Sequence, residues 1–167
     1  MVRVDSPFPL FALPRLWTWV QRVRRHVCDD FSPTTIEQFV EQWQGDMARG
    51  GRTWAVYKGK DLVGLISAEQ LSPVVATVHL LFHKSGWGHD TTVPALQEVF
   101  RDVFERAQKI TALVFADNAN VIGLARKVGA EKEGVLRAHT LREGRPADMV
   151  ALGLLKEDFE KCLNSSR

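Results

Sequence analysis

Between the apolar run VVATVHLLF and the periodic segment VPALQEVFRDVF lies HKSGWGHDTT, His83 to Thr92, with glycines two apart at Gly86 and Gly88. A strand that passes through a glycine loop into a helix leaves backbone N–H groups pointing outward at the helix start, where the helix dipole favours negative charge. The chemistry such a loop suits is metal-free binding of a phosphate, although the same residues also make a plain turn. A P-loop is excluded, because no Lys-Ser/Thr pair follows Gly88. A dinucleotide-binding unit is excluded as well, because no acidic residue ends a following strand in the required manner.

The elements that must hold this loop can be read from hydrophobic periodicity. RLWTWVQRVRRHV places Leu16, Trp19 or Val20, Val23 and Val27 at helical spacing. TTIEQFVEQWQGDMARG reads as a second helix, with Thr34 and Glu37 at capping-box spacing, Ile36, Phe39, Val40 and Trp43 as its apolar stripe, and Gly50-Gly51 as its stop. RTWAVY and DLVGLISAEQL form a hairpin through KGK, Ser72-Pro73 is a turn, and VVATVHLLF is a third strand. After the loop, Val93, Leu96, Val99, Phe100, Val103 and Phe104 line one helix face. KITALVFA then reads as a buried strand, NVIGLARKVGA as a short helix stopped by Gly129, GVLRAHTLREGRPADMVALGLL as two strands, and KEDFEKCL as a final helical turn or two. This order predicts an α/β (α+β) domain, a mixed sheet with helices on its faces.

The 167 residues, 45% hydrophobic, suffice for one domain over 1–167. A net charge of +2 is too mild to point to nucleic acid, so the basic cluster RVRRH (Arg22 to His26) reads as a solvated face or as a patch that steers an acidic partner. Cys28 and Cys162 have no metal-ligand spacing and read as reduced thiols, with no metal site and a cytoplasmic location. No segment approaches the roughly 18 apolar residues of a membrane span. Prolines interrupt the apolar start and no small-residue cleavage site comes after it, so the reading is a soluble, unprocessed chain.

The residues downstream extend the meaning of the loop. HKSGWG resembles the Gln/Arg-x-x-Gly-x-Gly/Ala acetyl-CoA loop of the GNAT family of N-acetyltransferases, and NANVIGLARKVGAEKEGVLR is similar to that family's Asn-x-x-(Ala/Ser)…Lys-x-Gly-Phe segment. The continuation EGVLR…EGRPADMVALGLL looks like the ribosomal-protein N-terminal (Rim-type) branch. The resemblance spans roughly Trp54 to Phe159, with a best-matching core of 52–160 and a less typical helical acceptor-side region of 1–51. It implies a GNAT-like, mostly antiparallel twisted sheet that splays between the strand before the loop and the next strand. It also implies acetyl-CoA as cofactor, with the pyrophosphate on the amides of His83, Lys84, Ser85, Gly86, Trp87, Gly88 and His89 and the two glycines admitting its close approach. The pantetheine would pair with Leu80, Leu81 and Phe82, a kink or bulge near His79 to Leu81 would open the splay, and one strand amide would stabilise the oxyanion. Asn118 would bond the pantetheine or an active-site water, its other reading being a turn-forming Asn. Arg137 and Asp148 would pair across the last hairpin.

The sequence departs from the family at the proton donors, where Val121 and Ala125 replace Ser and Tyr, at Ala130, which replaces an aromatic, and at His83, which replaces Gln or Arg. The attacking amine must be unprotonated, and Glu69 and His79 are the candidate bases; each reads equally as a structural strand residue. The implied reaction is direct acetyl transfer to a primary amine on a protein N-terminus, a lysine or a small molecule, by a monomer or homodimer. Two other readings stay open: a catalytically inactive GNAT-fold module that binds CoA or a macromolecule, and a nucleic-acid-associated protein that uses RVRRH.

Overall fold

A computed structural model describes residues 1–165. In chain order its elements are β1 (Val2–Asp5), a 3-10 turn (Leu10–Ala12), α1 (Leu13–Val27), α2 (Ile36–Ala48), β2 (Arg52–Lys58), β3 (Asp61–Gln70), β4 (Val75–Phe82), α3 (His89–Val103), β5 (Lys109–Phe115), α4 (Ala119–Lys127), β6 (Glu131–Arg142), β7 (Arg145–Leu155) and α5 (Lys156–Ser165). The strands form a seven-stranded sheet in the order β1-β2-β3-β4-β5-β7-β6. Only β4 and β5 are parallel; the other pairs are antiparallel.

Side-chain alternation divides the sheet into two faces. On one, the stripe of α3 (Val93, Leu96, Val99, Phe100) packs on Ile66, Val78 and Phe82, and Phe159 of α5 closes the layer with its ring centroid 6.0 Å from that of Phe100 and 5.3 Å from that of Phe104. On the other, Leu16 and Trp19 of α1 and Trp43 of α2 pack on Ala55 and Leu65. The α3 stripe is buried throughout, whereas in α1 Leu16, Trp19 and Val20 are buried, Val23 is half-buried and Val27 exposed, and in α2 Trp43 is buried with Ile36, Phe39 and Val40 half-buried.

Four details differ from the sequence reading. β1 precedes α1, which no local pattern announces; it exists because β2 offers its edge, with Val2 opposite Lys58 and Asp5 opposite Ala55. The cap of α2 lies one residue later, where Thr35 Oγ1 accepts from the Gln38 amide and Gln38 Oε1 accepts from the Thr34 amide. α5 runs ten residues rather than one or two turns. No bulge occurs at His79 to Leu81, since β4 keeps unbroken register with β3 from Gly64–Phe82 to Gln70–Ala76. The bulge is in β3 instead: Val56 faces Gly64 and Tyr57 faces Leu62, which leaves Val63 as the extra residue.

One polar cluster ties α3 to the sheet. Asp102 accepts from Arg52 Nη1 at 2.7 Å and from the indole of buried Trp54 at 3.1 Å. Asp102→Ala would leave that indole N–H unsatisfied, and urea denaturation should show a loss of about 2 kcal/mol; Asp102→Asn should lose less.

Candidate active site

The glycine loop is built on the β3 bulge. The Val63 carbonyl accepts from the His83 amide at 2.9 Å, which fixes where β4 ends. Gly86 lies so close to Val63 that an added Cβ would sit 2.6 Å from the Val63 Cβ and 2.8 Å from its carbonyl oxygen. Packing against β3 by itself demands glycine at 86. Gly88 serves a different need: it caps α3 with φ of +149°, a conformation that side-chain-bearing residues rarely adopt, and its outer side is open.

Several loop amides are already engaged. Gly86 N and Trp87 N donate to the His83 carbonyl at 2.9 and 3.1 Å, Ser85 N donates to His83 Nδ1 at 3.3 Å, and Gly88 N donates to Thr92 Oγ1 at 3.2 Å. Among the described residues, the amides of Lys84, His89 and Asp90 make no backbone hydrogen bond of this kind. They lie on the exposed side of the loop and at the first turn of α3, where the dipole favours an anion. Thr92, which the sequence reading passed over, closes the loop: its buried hydroxyl accepts from Gly88 N and donates to the Gly86 carbonyl at 3.0 Å. Trp87 meets Phe82 edge-on, with centroids 6.2 Å apart, and anchors the turn.

Below the loop the sheet opens. β4 and β5 pair only at Val75–Lys109, Ala76–Ile110 and Thr77–Thr111, although both strands continue, to Phe82 and Phe115. From Val78 onward the β5-facing edge of β4 has no strand partner. A backbone edge within a sheet must be satisfied by something, and an extended amide-bearing arm fits between the two strands. The split and the exposed amides above it thus suit a phosphate attached to such an arm, which is the architecture of CoA.

The split leads into a cavity of about 640 Å³. Glu69 and His79 both line it, together with Ser67. Ser67 is opposite His79 and Glu69 opposite Thr77, so the two candidate bases are diagonal neighbours on the sheet face that carries α1 and α2. His79 is exposed and Glu69 half-buried, and among the described residues neither side chain has a hydrogen-bond or ion-pair partner. Leu80 and Leu81 also line the cavity, but residues 82–89 do not. The α4 wall offers Val121, Leu124 and Ala125, all apolar.

Asn118 sits at the wall and is engaged structurally. Its Oδ1 caps α4 by accepting from Val121 N at 3.3 Å, and its Nδ2 donates to the His26 carbonyl at 3.5 Å. Asp148 does not pair with Arg137. Its carboxylate accepts from Ala138 N at 2.8 Å, which stabilises a β6 bulge in which Ala138 has φ of +49°, while Arg137 is exposed. The basic cluster is partly structural too: Arg24 donates to the carbonyls of Ser32 and Pro33, so it binds the α1–α2 loop.

That loop is the far wall of the cavity. Asp30 accepts from Glu143 N and Gly144 N, both at 2.8 Å, and Asp29 accepts from the Thr140 hydroxyl at 2.8 Å, so the loop is fastened to the β6–β7 hairpin. Burial pushes the Asp29 carboxyl up, but bonds from Thr140, Ser32 and the Phe31 and Ser32 amides outweigh it and hold its pKa below the ordinary value. Burial raises the pKa of Cys28, which also faces the cavity, with Arg24 opposing.

The family model "Acetyltransferase (GNAT) domain" matches residues 8–131, and the chain belongs to this family of N-acetyltransferases. The match reaches into the N-terminal helices, beyond the stretch legible from motifs. Among solved structures, the chain is similar to the ribosomal-protein-alanine N-acetyltransferase of Brucella melitensis (TM-score 0.76, 17% identity, 93% of this chain and 99% of that one). It is also similar to spermidine N-acetyltransferase of Vibrio cholerae in complex with CoA and spermine (TM-score 0.79, 14% identity, 95% and 98%). Mycobacterium smegmatis RimJ in complex with CoA-disulfide is a third such structure (TM-score 0.79, 14% identity, 99% and 90%). At these identities the likeness is one of fold. No curated protein matches the sequence. Among the described residues, no helix is long and apolar enough to cross a membrane.

Two measurements test this arrangement. Thr92→Val keeps the shape but removes both loop bonds, and thermal or urea unfolding should show a loss of about 1–3 kcal/mol, largely restored by Thr92→Ser. Because Asp29 has a lowered folded-state pKa, its contribution is complete above its unfolded value of about 4 and is lost as pH falls through the folded one. The melting temperature of Asp29→Asn should therefore fall less than that of the unsubstituted protein between pH 5 and pH 3.

Proposed function

We propose that the protein transfers an acyl group, acetyl being the smallest, from a CoA thioester to a primary amine by direct attack. The amine belongs to a protein N-terminus, a lysine or a small molecule. The single observation that carries the reading is the split of β4 from β5 directly beneath the exposed amides of Lys84, His89 and Asp90. The thioester supplies the electrophilic carbonyl when bound. Within the loop His83 to His89 and the first turn of α3, the free amides of Lys84, His89 and Asp90 hold the pyrophosphate end, Leu80 to Phe82 present their backbone to the pantetheine arm, and Asn118 stands at the far end of the slot.

The acceptor enters from the face that carries α1 and α2, where Glu69 and His79 lie. One of them takes the proton from the ammonium, and the amine nitrogen then bonds to the acyl carbon as the C–S bond breaks. The second proton shed by nitrogen goes, through water, to the departing thiolate, since Val121 and Ala125 have none to give. This reading includes a cytoplasmic location, in keeping with the two cysteines of the chain, and action as a monomer or homodimer. The apolar α4 wall favours one alternative, a module that binds CoA without turnover; acyl transfer to any amine removes it.

Calorimetric titration with acetyl-CoA tests the binding. Micromolar affinity is expected, and Lys84→Glu, which reverses a charge on an exposed side chain beside the cradle, should weaken it at least about tenfold. Unchanged affinity would place the phosphates elsewhere. In a transfer assay at pH 7, His79→Ala should lower kcat by about a hundredfold and remove the acid limb of the kcat/KM profile. If Glu69→Gln does so instead, the base is Glu69.

A further inference from the structure

His83 grips the glycine loop through its amide, its carbonyl and its ring. The amide donates to the Val63 carbonyl at 2.9 Å, and the carbonyl accepts from Gly86 N at 2.9 Å and from Trp87 N at 3.1 Å. Ring Nδ1 accepts from Ser85 N at 3.3 Å and lies 2.8 Å from Ser85 Oγ. An amide can only donate, so Nδ1 is the acceptor and the ring proton sits on Nε2. Gly88 N is taken by Thr92 Oγ1. Among the described residues from His83 to Gly88, Lys84 is thus the one whose amide has no hydrogen-bond partner.

Peptide planarity turns these bonds into a direction. In a trans peptide the carbonyl of one residue and the N–H of the next point to opposite sides. The His83 carbonyl faces inward to Gly86 and Trp87, so the Lys84 N–H in the same plane faces outward. The following plane carries the Ser85 N–H, and the imidazole is what holds it. The ring is seated in turn from α1. The indole of buried Trp19 lies 5.3 Å from it, centroid to centroid, at an angle of 39°, and the Arg15 guanidinium carbon lies 5.3 Å from the Trp19 ring centroid. A side chain holds a loop in one geometry only when packing fixes its own rotamer, and Trp19 supplies that packing. The same helix walls the cavity with Leu16, Trp17 and Val20.

We propose that the His83 imidazole is a positioning residue for the donor: seated on Trp19 and accepting from the Ser85 amide, it locks the peptide planes on both sides of Lys84 and holds the Lys84 N–H toward the phosphates. The proposal rests on the acyl-CoA reading above. It gives a task to the side chain that stands where the family pattern has Gln or Arg.

The test compares calorimetric titrations with acetyl-CoA and with S-acetyl-pantetheine, which keeps the arm and the thioester but has no phosphate. His83→Leu keeps bulk against Trp19 and lacks the acceptor. It should weaken acetyl-CoA binding by about five- to tenfold, the worth of one hydrogen bond, and leave acetyl-pantetheine binding unchanged. His83→Asn, whose amide oxygen takes the place of Nδ1, should recover most of the loss. A merely structural role would weaken both ligands alike and gain nothing from Asn.

If His83→Leu fails to fold, two measurements on the unsubstituted protein decide alone. At about pH 8, above the ordinary range of imidazole titration, proton–nitrogen NMR should place the ring proton on Nε2. Hydrogen exchange should show the Ser85 amide protected before any ligand is added and the Lys84 amide protected only with acetyl-CoA. Equal weakening of both ligands, no weakening in His83→Leu, a ring proton on Nδ1 or an unprotected Ser85 amide overturns the role of His83 and leaves the transferase reading intact. Equal affinity of the unsubstituted protein for the two ligands removes the phosphate cradle and that role with it. No binding of acetyl-CoA overturns both the role and the transferase reading.

Discussion

Everything in this molecule depends on how two parallel strands are made to part. β4 and β5 begin as neighbours and pair for three residues. Each is then held by its other partner: β4 by an unbroken antiparallel register on β3 up to Phe82, and β5 by an equally continuous register on β7 up to Phe115. Because both outer pairings are intact, the divergence leaves a gap within the sheet, and the strand edges that border it carry polar backbone groups inside the fold. The cost of that open edge is tolerable only where something extended and hydrogen-bonding comes to lie along it.

The surroundings fix the gap in place from both ends. At the loop end, the β3 bulge brings Val63 under Gly86 and its carbonyl to His83, while Thr92 ties Gly86 to Gly88. The start of α3 is thereby placed at the end of β4 that borders the split. At the other end, Asp29 and Asp30 fasten the α1–α2 loop to the β6–β7 hairpin. This side of the cavity is therefore walled by two segments distant in sequence that depend on a few carboxylate bonds.

Motif spacing made the loop, the strand before it and the helix after it legible, because glycine pairs and helical stripes are local signals. The features that stayed hidden depend on pairing partners. β1 is four residues whose only reason to be extended is the edge of β2. Gly86 announces an unusual backbone, but only packing reveals that Val63 of β3 lies against it. Thr92 looks like any helix residue until the loop folds back over it. Asp148 lies in the expected region with a different partner, since the bulge at Ala138 interrupts the simple alternation that would have set it beside Arg137. Glu69 and His79 stand out for their chemistry, and the β3–β4 register brings them onto one face of the cavity, which no spacing in the sequence could establish.

The central claim is that the open edge of β4 is the seat of an extended, phosphate-bearing thioester. Hydrogen exchange resolved to single amides, with and without saturating acetyl-CoA, addresses it most directly. The account predicts added protection at β4 amides between Val78 and Phe82 and at Lys84, His89 and Asp90, with little change along β6. Protection confined to other parts of the sheet, or none at all with the ligand shown to be bound, would contradict it.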